Sequence, residues 1–179
     1  MRLGSKFVEL DKAHHDQATF DCGEEELNTF IHTQAAKHME VGISRTMLLP
    51  ASAPLHNGKY LIRAFYTIAP SSIRRETLPA SIAKKLPLYP VPVFLLAQMA
   101  AHVECQGIAL GKITLIKALA YLRAIHSHMP AFAVIVGCLN PSAEQFYTKY
   151  GFEFLCHHNG RTRMFISMKT IAQLPFPKK

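Results

Sequence analysis

Apolar and polar positions change their period several times along the 179 residues, and each change marks an element. From Asp21 to His38, Leu27, Phe30 and Ile31 form one apolar stripe, and Glu24, Glu25 and Glu26 stand where a helix favours negative charge. The spacing predicts a helix over this stretch, begun by Asp21 or Cys22. Thr46 to Leu49 and Tyr60 to Ile68 read as strands around a loop holding Asn57-Gly58, a strong turn signal. The segment from Pro70 to Pro92 carries five prolines and is expected to be loop around at most a short helix. Val93 to Ala101 is almost wholly apolar, as in a strand covered on both faces. Beyond it Leu115, Leu119 and Leu122, with Ile116, recur at helical spacing while Lys117 and Arg123 take other faces. Phe132 to Val136 is a second buried strand. Asn140 caps a further helix, Pro141 takes its first position, and Gly151 ends it. The stripe of that helix is Ala143, Phe146, Tyr147 and Tyr150. Phe152 to Leu155 and Met164 to Met168 complete the pattern as strands. Strand, helix, strand, helix, strand in the second half implies a three-layer α/β arrangement.

Composition narrows the class. A chain of this length supports one well-packed core, so a single domain over residues 1–179 is expected. Hydrophobic residues are 49% of the chain and charged ones 18%, which excludes disorder as the main state. The apolar run from Val91 to Val103 is interrupted by Pro92, Gln98 and His102 and falls short of a membrane span. No apolar run follows Met1 to Lys6 that would serve as a signal peptide. The widely spaced Cys22, Cys105, Cys138 and Cys156 fit reduced thiols, and a cytoplasmic protein is expected. Lys and Arg outnumber Asp and Glu by 20 to 12, a net charge of +8. Such a charge suits a nucleic acid, an acidic protein or a phosphorylated cofactor, and equally plain solubility.

The segment with most chemical content is Gln106-Gly107-Ile108-Ala109-Leu110-Gly111-Lys112, set between a buried strand and an amphipathic helix. Small residues at 107, 109 and 111 let a backbone approach an anion closely, with N–H groups pointing out at the helix start. That arrangement binds phosphate or pyrophosphate, although an ordinary helix start has much the same composition. Two phosphate motifs are excluded. A Walker A loop needs four residues between its glycines and Ser or Thr after Lys, whereas Gly107 and Gly111 have three between them and Ile113 follows Lys112. The dinucleotide fingerprint fails because Ala109 stands at its second glycine.

Gln106-x-x-Ala109-x-Gly111 does resemble the acyl-CoA loop of the GNAT acetyltransferases, Gln/Arg-x-x-Gly-x-Gly/Ala. One strand and one helix later, Phe146-Tyr147-x-x-x-Gly151-Phe152 resembles the C-terminal motif of that family. Phe94-Leu95-Leu96-Ala97-Gln98-Met99-Ala100 lies where its cofactor-pairing strand belongs. In the first half, Phe20-x-Cys22-Gly23-x-x-x-Leu27-x-x-Phe30-Ile31, Gly42-x-x-Arg45-Thr46 and Phe65-Tyr66-Thr67-Ile68 look like the GNAT toxins of bacterial toxin–antitoxin pairs, as does Tyr89-Pro90-Val91-Pro92-Val93. The likeness runs from about Phe7 to Met168. It implies a GNAT fold, α/β with a central mixed, mostly antiparallel sheet and helices on both faces. It implies acetyl-CoA as co-substrate, held by Met99, Ala100, Ala101, Gln106, Gly107, Ala109, Gly111, Lys112 and Asn140, and Tyr147 as catalytic acid. It further implies an aminoacyl-tRNA substrate whose α-amine is acetylated so that translation stalls. A small ribbon-helix-helix antitoxin as partner and a homodimer complete what the likeness carries.

Attack of an amine on a thioester carbonyl puts negative charge first on oxygen, then on sulfur. A backbone N–H near Met99 to Ala101 would stabilise the first, and an acid, Tyr147, the second. Considered apart from its motif, Tyr147 reads as an aromatic packed beside Phe146. No carboxylate stands out as general base. An α-amine, with a pKa of about 7.7–8.0 against about 10.4 for lysine, needs one less. No metal is expected, because His14-His15, His126-x-His128 and His157-His158 lack a Cys or acid at ligand spacing and read as solvated surface. Arg74-Arg75, Lys84-Lys85 and Arg161 with Arg163 either steer tRNA phosphates or form solvated faces. Ala109 departs from the family pattern by a methyl, and His102 and Cys105 replace the usual acid and aromatic. Two other readings stand beside the toxin. One is a GNAT enzyme acting on a small amine or protein terminus; the other is a non-catalytic basic nucleic-acid-binding module on the same scaffold.

Overall fold

The structure, a computed structural model, describes residues 6–176. The basic tail Lys178-Lys179 and the first five residues lie outside them. Residues up to Ala69 together with Ala97–Ala118 form one compact unit, and Pro70–Leu96 with the residues from Leu119 onward form another.

In the first unit, β1 (Val8–Glu9) runs antiparallel to β3 (Arg45–Pro54), pairing Val8 with Leu48. β3 runs antiparallel to β4 (Tyr60–Ile73), and the short β2 (His15–Asp16) lies parallel to the start of β4. The loop between β3 and β4 closes through Leu55 N–H on the Lys59 carbonyl, while Asn57 Oδ1 accepts from Lys59 N–H, so the Asn57-Gly58 turn is where the sequence puts it. The predicted helix forms later than its expected start. α1 (Glu25–Thr29) begins at Glu25, because Asp21 is occupied in accepting from Gly23 N–H and Asn28 Nδ2. A π turn over Phe30–Gln34 then joins it to α2 (Ala35–Glu40). Such a turn leaves carbonyls without their i+4 donors, and Gln17 Nε2 donates to the Ile31 carbonyl at 2.6 Å. Phe20, Phe30, Ile31, Leu48 and Phe65 bury one core here, with the Phe20 and Phe65 rings edge to face at 5.2 Å.

In the second unit β4 runs on through Pro70 to Ile73, five residues beyond the end that the apolar pattern predicts, and a 3-10 turn (Arg75–Thr77) and α3 (Ala80–Ala83) follow. β5 (Val91–Ala101) lies parallel to β6 (Ala133–Gly137), matching Val93 with Ala133 and Leu96 with Val136. A parallel pair needs a crossover, and α4 (Leu110–His126) supplies it. Leu115, Leu119 and Leu122 are buried as their spacing predicts. α5 (Pro141–Lys149) precedes an antiparallel hairpin of β7 (Glu153–His158) and β8 (Arg161–Ser167), with β8 also antiparallel to β6. Asn159 and Gly160 both have positive φ, 50° and 75°, the type I′ geometry that suits strand twist. Met168 leaves the expected strand. Ser167 Oγ accepts from Thr170 N–H, caps, and starts the short α6 (Met168–Ile171). Val91, Val93, Ala133, Ile135, Leu155 and Phe165 form this unit's core. The fold is therefore mixed α/β with mostly antiparallel strand pairs, as expected.

Candidate active site

The first group of predicted site residues lies at the end of β5 and the start of α4, within the first unit. Met99 and Ala101 are half-buried, and Ala100 belongs to the core beside Phe65. The chain then makes a 3-10 turn (Val103–Cys105), fixed by His102 N–H on the Arg63 carbonyl and Val103 N–H on the Asp21 carbonyl, both at 2.8 Å. Cys105, which replaces an expected aromatic, is buried with Leu49, Ala64 and Leu110 and anchors the loop from below. Gln106 is exposed, yet its side-chain amide turns back onto the chain. Its Nε2 donates to the Cys22 carbonyl at 2.9 Å and to the Ala101 carbonyl at 3.2 Å, so it braces the loop against the segment before α1.

Above this base Gly107 and Ala109 both take positive φ, 83° and 59°, and both are exposed. An L-residue in that region costs roughly 1–2 kcal/mol, so the loop holds Ala109 in strain. α4 starts immediately after, with Ile113 N–H the first to find a helical carbonyl, that of Ala109 at 3.1 Å. The N–H groups of Leu110, Gly111 and Lys112 precede it and have no intrahelical acceptor. Seventeen residues of aligned peptide dipoles stand behind them, and the Lys112 side chain is exposed beside them. Strained small residues opening a long helix, with outward N–H groups and an adjacent ammonium, fit a phosphate or pyrophosphate group.

Sequence reasoning passed over Arg63. Its side chain is 3% exposed within an apolar stretch of β4, and Nη1 lies 3.3 Å from Glu104 Oε2. A charge so buried needs its partner, and this pair ties β4 to the turn that carries the loop. A lone Arg inside an otherwise apolar strand was the available signal.

The second group lies in the other unit. Asn140 caps α5, its Oδ1 accepting from Ala143 N–H at 2.9 Å, with Pro141 next and Gly151 past the end, as the sequence indicates. Tyr147 is buried on the stripe of α5, its ring 5.3 Å from that of Phe146 and 5.2 Å from that of Phe152. Burial pushes its phenol pKa well above the ordinary value, and the neighbouring Cys138 thiol adds to the shift. Tyr147 thus keeps its proton throughout the neutral range. Burial likewise pushes the Cys138 thiol up. The histidine reading needs one correction: His15 is buried, accepting at Nδ1 from Asp11 N–H at 3.0 Å, and desolvation lowers its pKa. Among the described residues no group of His, Cys, Asp or Glu is placed to hold a metal, and no described helix is long and apolar enough to cross a membrane.

No family model matches the chain. Solved structures do. A crystal structure of a Tyr→Phe variant of KacT is 25% identical, covering 97% of this chain and 99% of that one with a TM-score of 0.86. AtaT complexed with acetyl-methionyl-tRNAfMet is 27% identical over 93% of this chain and 96% of its own, with a TM-score of 0.83. AtaTR bound with acetyl-CoA is 25% identical over 93% and 95%, with a TM-score of 0.77. The chain has the fold of GNAT-family toxins of toxin–antitoxin systems, and KacT and AtaT are the particular toxins it is similar to.

Proposed function

We propose that this chain is an acetyl-CoA-dependent N-acetyltransferase toxin that acetylates the α-amine of aminoacyl-tRNA and so blocks translation. The observation that carries the reading is the match, along 93% of the chain, to AtaT in complex with an acetylated methionyl-tRNA. The match to AtaTR bound with acetyl-CoA supports the same donor. On this reading the two compact units work as one acetyltransferase domain.

Acetyl-CoA would supply the acyl group as a thioester. The N–H groups of Leu110, Gly111 and Lys112, with the turn through Gly107 and Ala109, would hold its phosphates. Gln106 would act as the brace of that turn. Backbone N–H groups of Met99 to Ala101 would meet the negative charge that develops on the carbonyl oxygen, and they act without reorganisation because they belong to a strand. Asn140 holds the N-terminus of α5 and thereby the position of Tyr147. The Tyr147 hydroxyl would hold the proton that the departing sulfur needs. About half or more of an α-amine is unprotonated near pH 8, so the amine loses its proton to water without a dedicated carboxylate.

The neighbours form complexes with antitoxins. For this chain we propose a small ribbon-helix-helix antitoxin, a homodimer and residence in the cytoplasm. The test is direct: incubate the protein with radiolabelled acetyl-CoA and charged tRNA, then look for acetyl-aminoacyl-tRNA. Label in the aminoacyl-tRNA is expected. Label that enters only small amines or protein termini would replace this reading with the small-substrate enzyme, and no transfer to any amine would leave the non-catalytic module.

A further inference from the structure

Within the second unit the segment between Pro70 and Pro92 combines two properties that seldom occur together. It is firmly held, and it displays large apolar side chains to solvent. Ile82, Ala83 and Leu86 pack against the core formed by Ile73, Leu78, Val91 and Val93. Arg75 reaches across the turn, with Nη1 donating to the Leu86 carbonyl at 2.8 Å and to that of Ala83 at 3.4 Å. Val91, at the start of β5, is only 4% exposed. The chain is thus tied down at Leu86 and again at Val91, with Pro87 and Pro90 stiffening the few residues between. At the crest, Leu88 is 79% exposed and Tyr89 73%. A held loop that leaves an aromatic face in water is built for a contact.

The charge around the crest indicates the partner. Between Pro70 and Pro92 there are four basic side chains, Arg74, Arg75, Lys84 and Lys85, against one carboxylate, Glu76. Glu76 lies between Arg74 and Arg75, at 3.8 and 3.7 Å. Lys84 and Lys85 are exposed, three to five residues from Leu88 and Tyr89. An exposed aromatic face with exposed lysines close by in the chain suits an unstacked nucleotide chain: bases stack on the ring, and phosphates meet the cations.

We propose that Leu88 and Tyr89, flanked by Lys84 and Lys85, form a stacking platform for the single-stranded 3′ end of the charged tRNA, with Tyr89 taking a base. This rests on the tRNA reading above. The platform sets affinity for the RNA part of the substrate and has no share in the chemistry.

The experiment uses the full chain and measures binding of uncharged tRNA and of a short single-stranded oligonucleotide ending in CCA, together with steady-state kinetics on charged tRNA. Tyr89→Ala is expected to weaken oligonucleotide binding about tenfold and raise KM for charged tRNA to match, with kcat and KM for acetyl-CoA unchanged. Tyr89→Phe keeps the stacking face and should stay within about twofold of wild type. Replacing both Lys84 and Lys85 by alanine should reduce the slope of log affinity against log salt by about 2. All these side chains are exposed, so melting temperatures should not move. If wild type acetylates charged tRNA but Tyr89→Ala alters neither binding nor KM, the platform is refuted and the proposed function stands. Absent acetylation of any charged tRNA, with Tyr89→Ala still weakening binding of uncharged tRNA, the function is refuted and the platform stands. Loss of a protein partner from Tyr89→Ala, with RNA binding intact, would also overturn the proposal.

Discussion

Replacing Tyr147 by phenylalanine separates chemistry from packing more cleanly than any other change in this chain. The variant removes one oxygen and leaves the ring between Phe146 and Phe152, whose centroids lie 5.3 and 5.2 Å away. Aromatic packing and apolar burial are therefore retained, and the expected stability cost is about 1 kcal/mol, the scale of one hydroxyl hydrogen bond. In a chain of this size that moves Tm by roughly 2–4 °C. The catalytic consequence is larger. A positioned acid contributes about 10²–10⁴-fold, equivalent to roughly 3–5 kcal/mol in the barrier. Burial has raised the phenol pKa, so wild type carries this proton in essentially every molecule near pH 7, and the variant in none. The assay is single-turnover acetyl transfer to charged tRNA, with acetyl-CoA affinity by calorimetry and Tm by scanning calorimetry alongside. Expected is a fall in rate by two orders of magnitude or more, with affinity unchanged. A folded variant that binds acetyl-CoA and acetylates at the wild-type rate would remove Tyr147 from the mechanism.

Three further outcomes are expected. Gly111→Asp places a carboxylate in the first turn of α4, where the helix dipole stabilises it by a few tenths of a kcal/mol; the protein should stay folded while calorimetric acetyl-CoA affinity drops about tenfold or more, and unchanged affinity would refute the loop assignment. Asn140→Ala removes the acceptor for Ala143 N–H and should cost about 1 kcal/mol, read as a Tm lowered by roughly 2–4 °C. Single-turnover rates should rise with pH through about 8 as the α-amine loses its proton. A raised Tyr147 pKa means the acid keeps its proton over that range, so no falling limb is expected up to pH 9, and one centred below it would contradict the assignment.

Much of the second half of the chain was legible because its signals are local. Asn140, Pro141 and Gly151 specify the ends of α5 by backbone chemistry alone, and the Leu115, Leu119 and Leu122 spacing specifies the buried face of α4. Where one signal competed with another, the reading slipped. Asp21 has the residue type of a cap, yet its carboxylate is taken by Gly23 and Asn28, which delays the helix to Glu25. Ser167 looks like one more strand residue until its hydroxyl caps Thr170 and turns Met168 into helix. The Asn159-Gly160 hairpin is written in the same dipeptide as Asn57-Gly58, but the apolar pattern ends its flanking strand at Leu155, whereas β7 runs on to His158. Neither β1 nor β2 was anticipated. Two-residue strands gain their pairing from distant partners, Leu48 and Tyr60, and leave no period to detect.

The candidate site was legible in its small residues and its tyrosine, less so in the groups that hold them. Gln106 matches a motif position and is expected at the cofactor through its backbone; what the motif does not show is that its side chain spans from the Cys22 carbonyl to that of Ala101. A bond between residues 84 positions apart cannot be read from spacing. The same holds for Arg63, whose partner by charge, Glu104, is 41 positions away. Both cases have one physical origin. A loop that keeps Gly107 and Ala109 at positive φ is strained, and strain persists only where surrounding contacts over-determine it. Those contacts are supplied by chain remote in sequence: Cys22 through Gln106, Arg63 through Glu104, and Leu49 with Ala64 against Cys105 and Leu110. The residues proposed to face a ligand obey local rules and are named from a motif. Those that hold the loop in place are set by the rest of the fold, and only the folded chain identifies them.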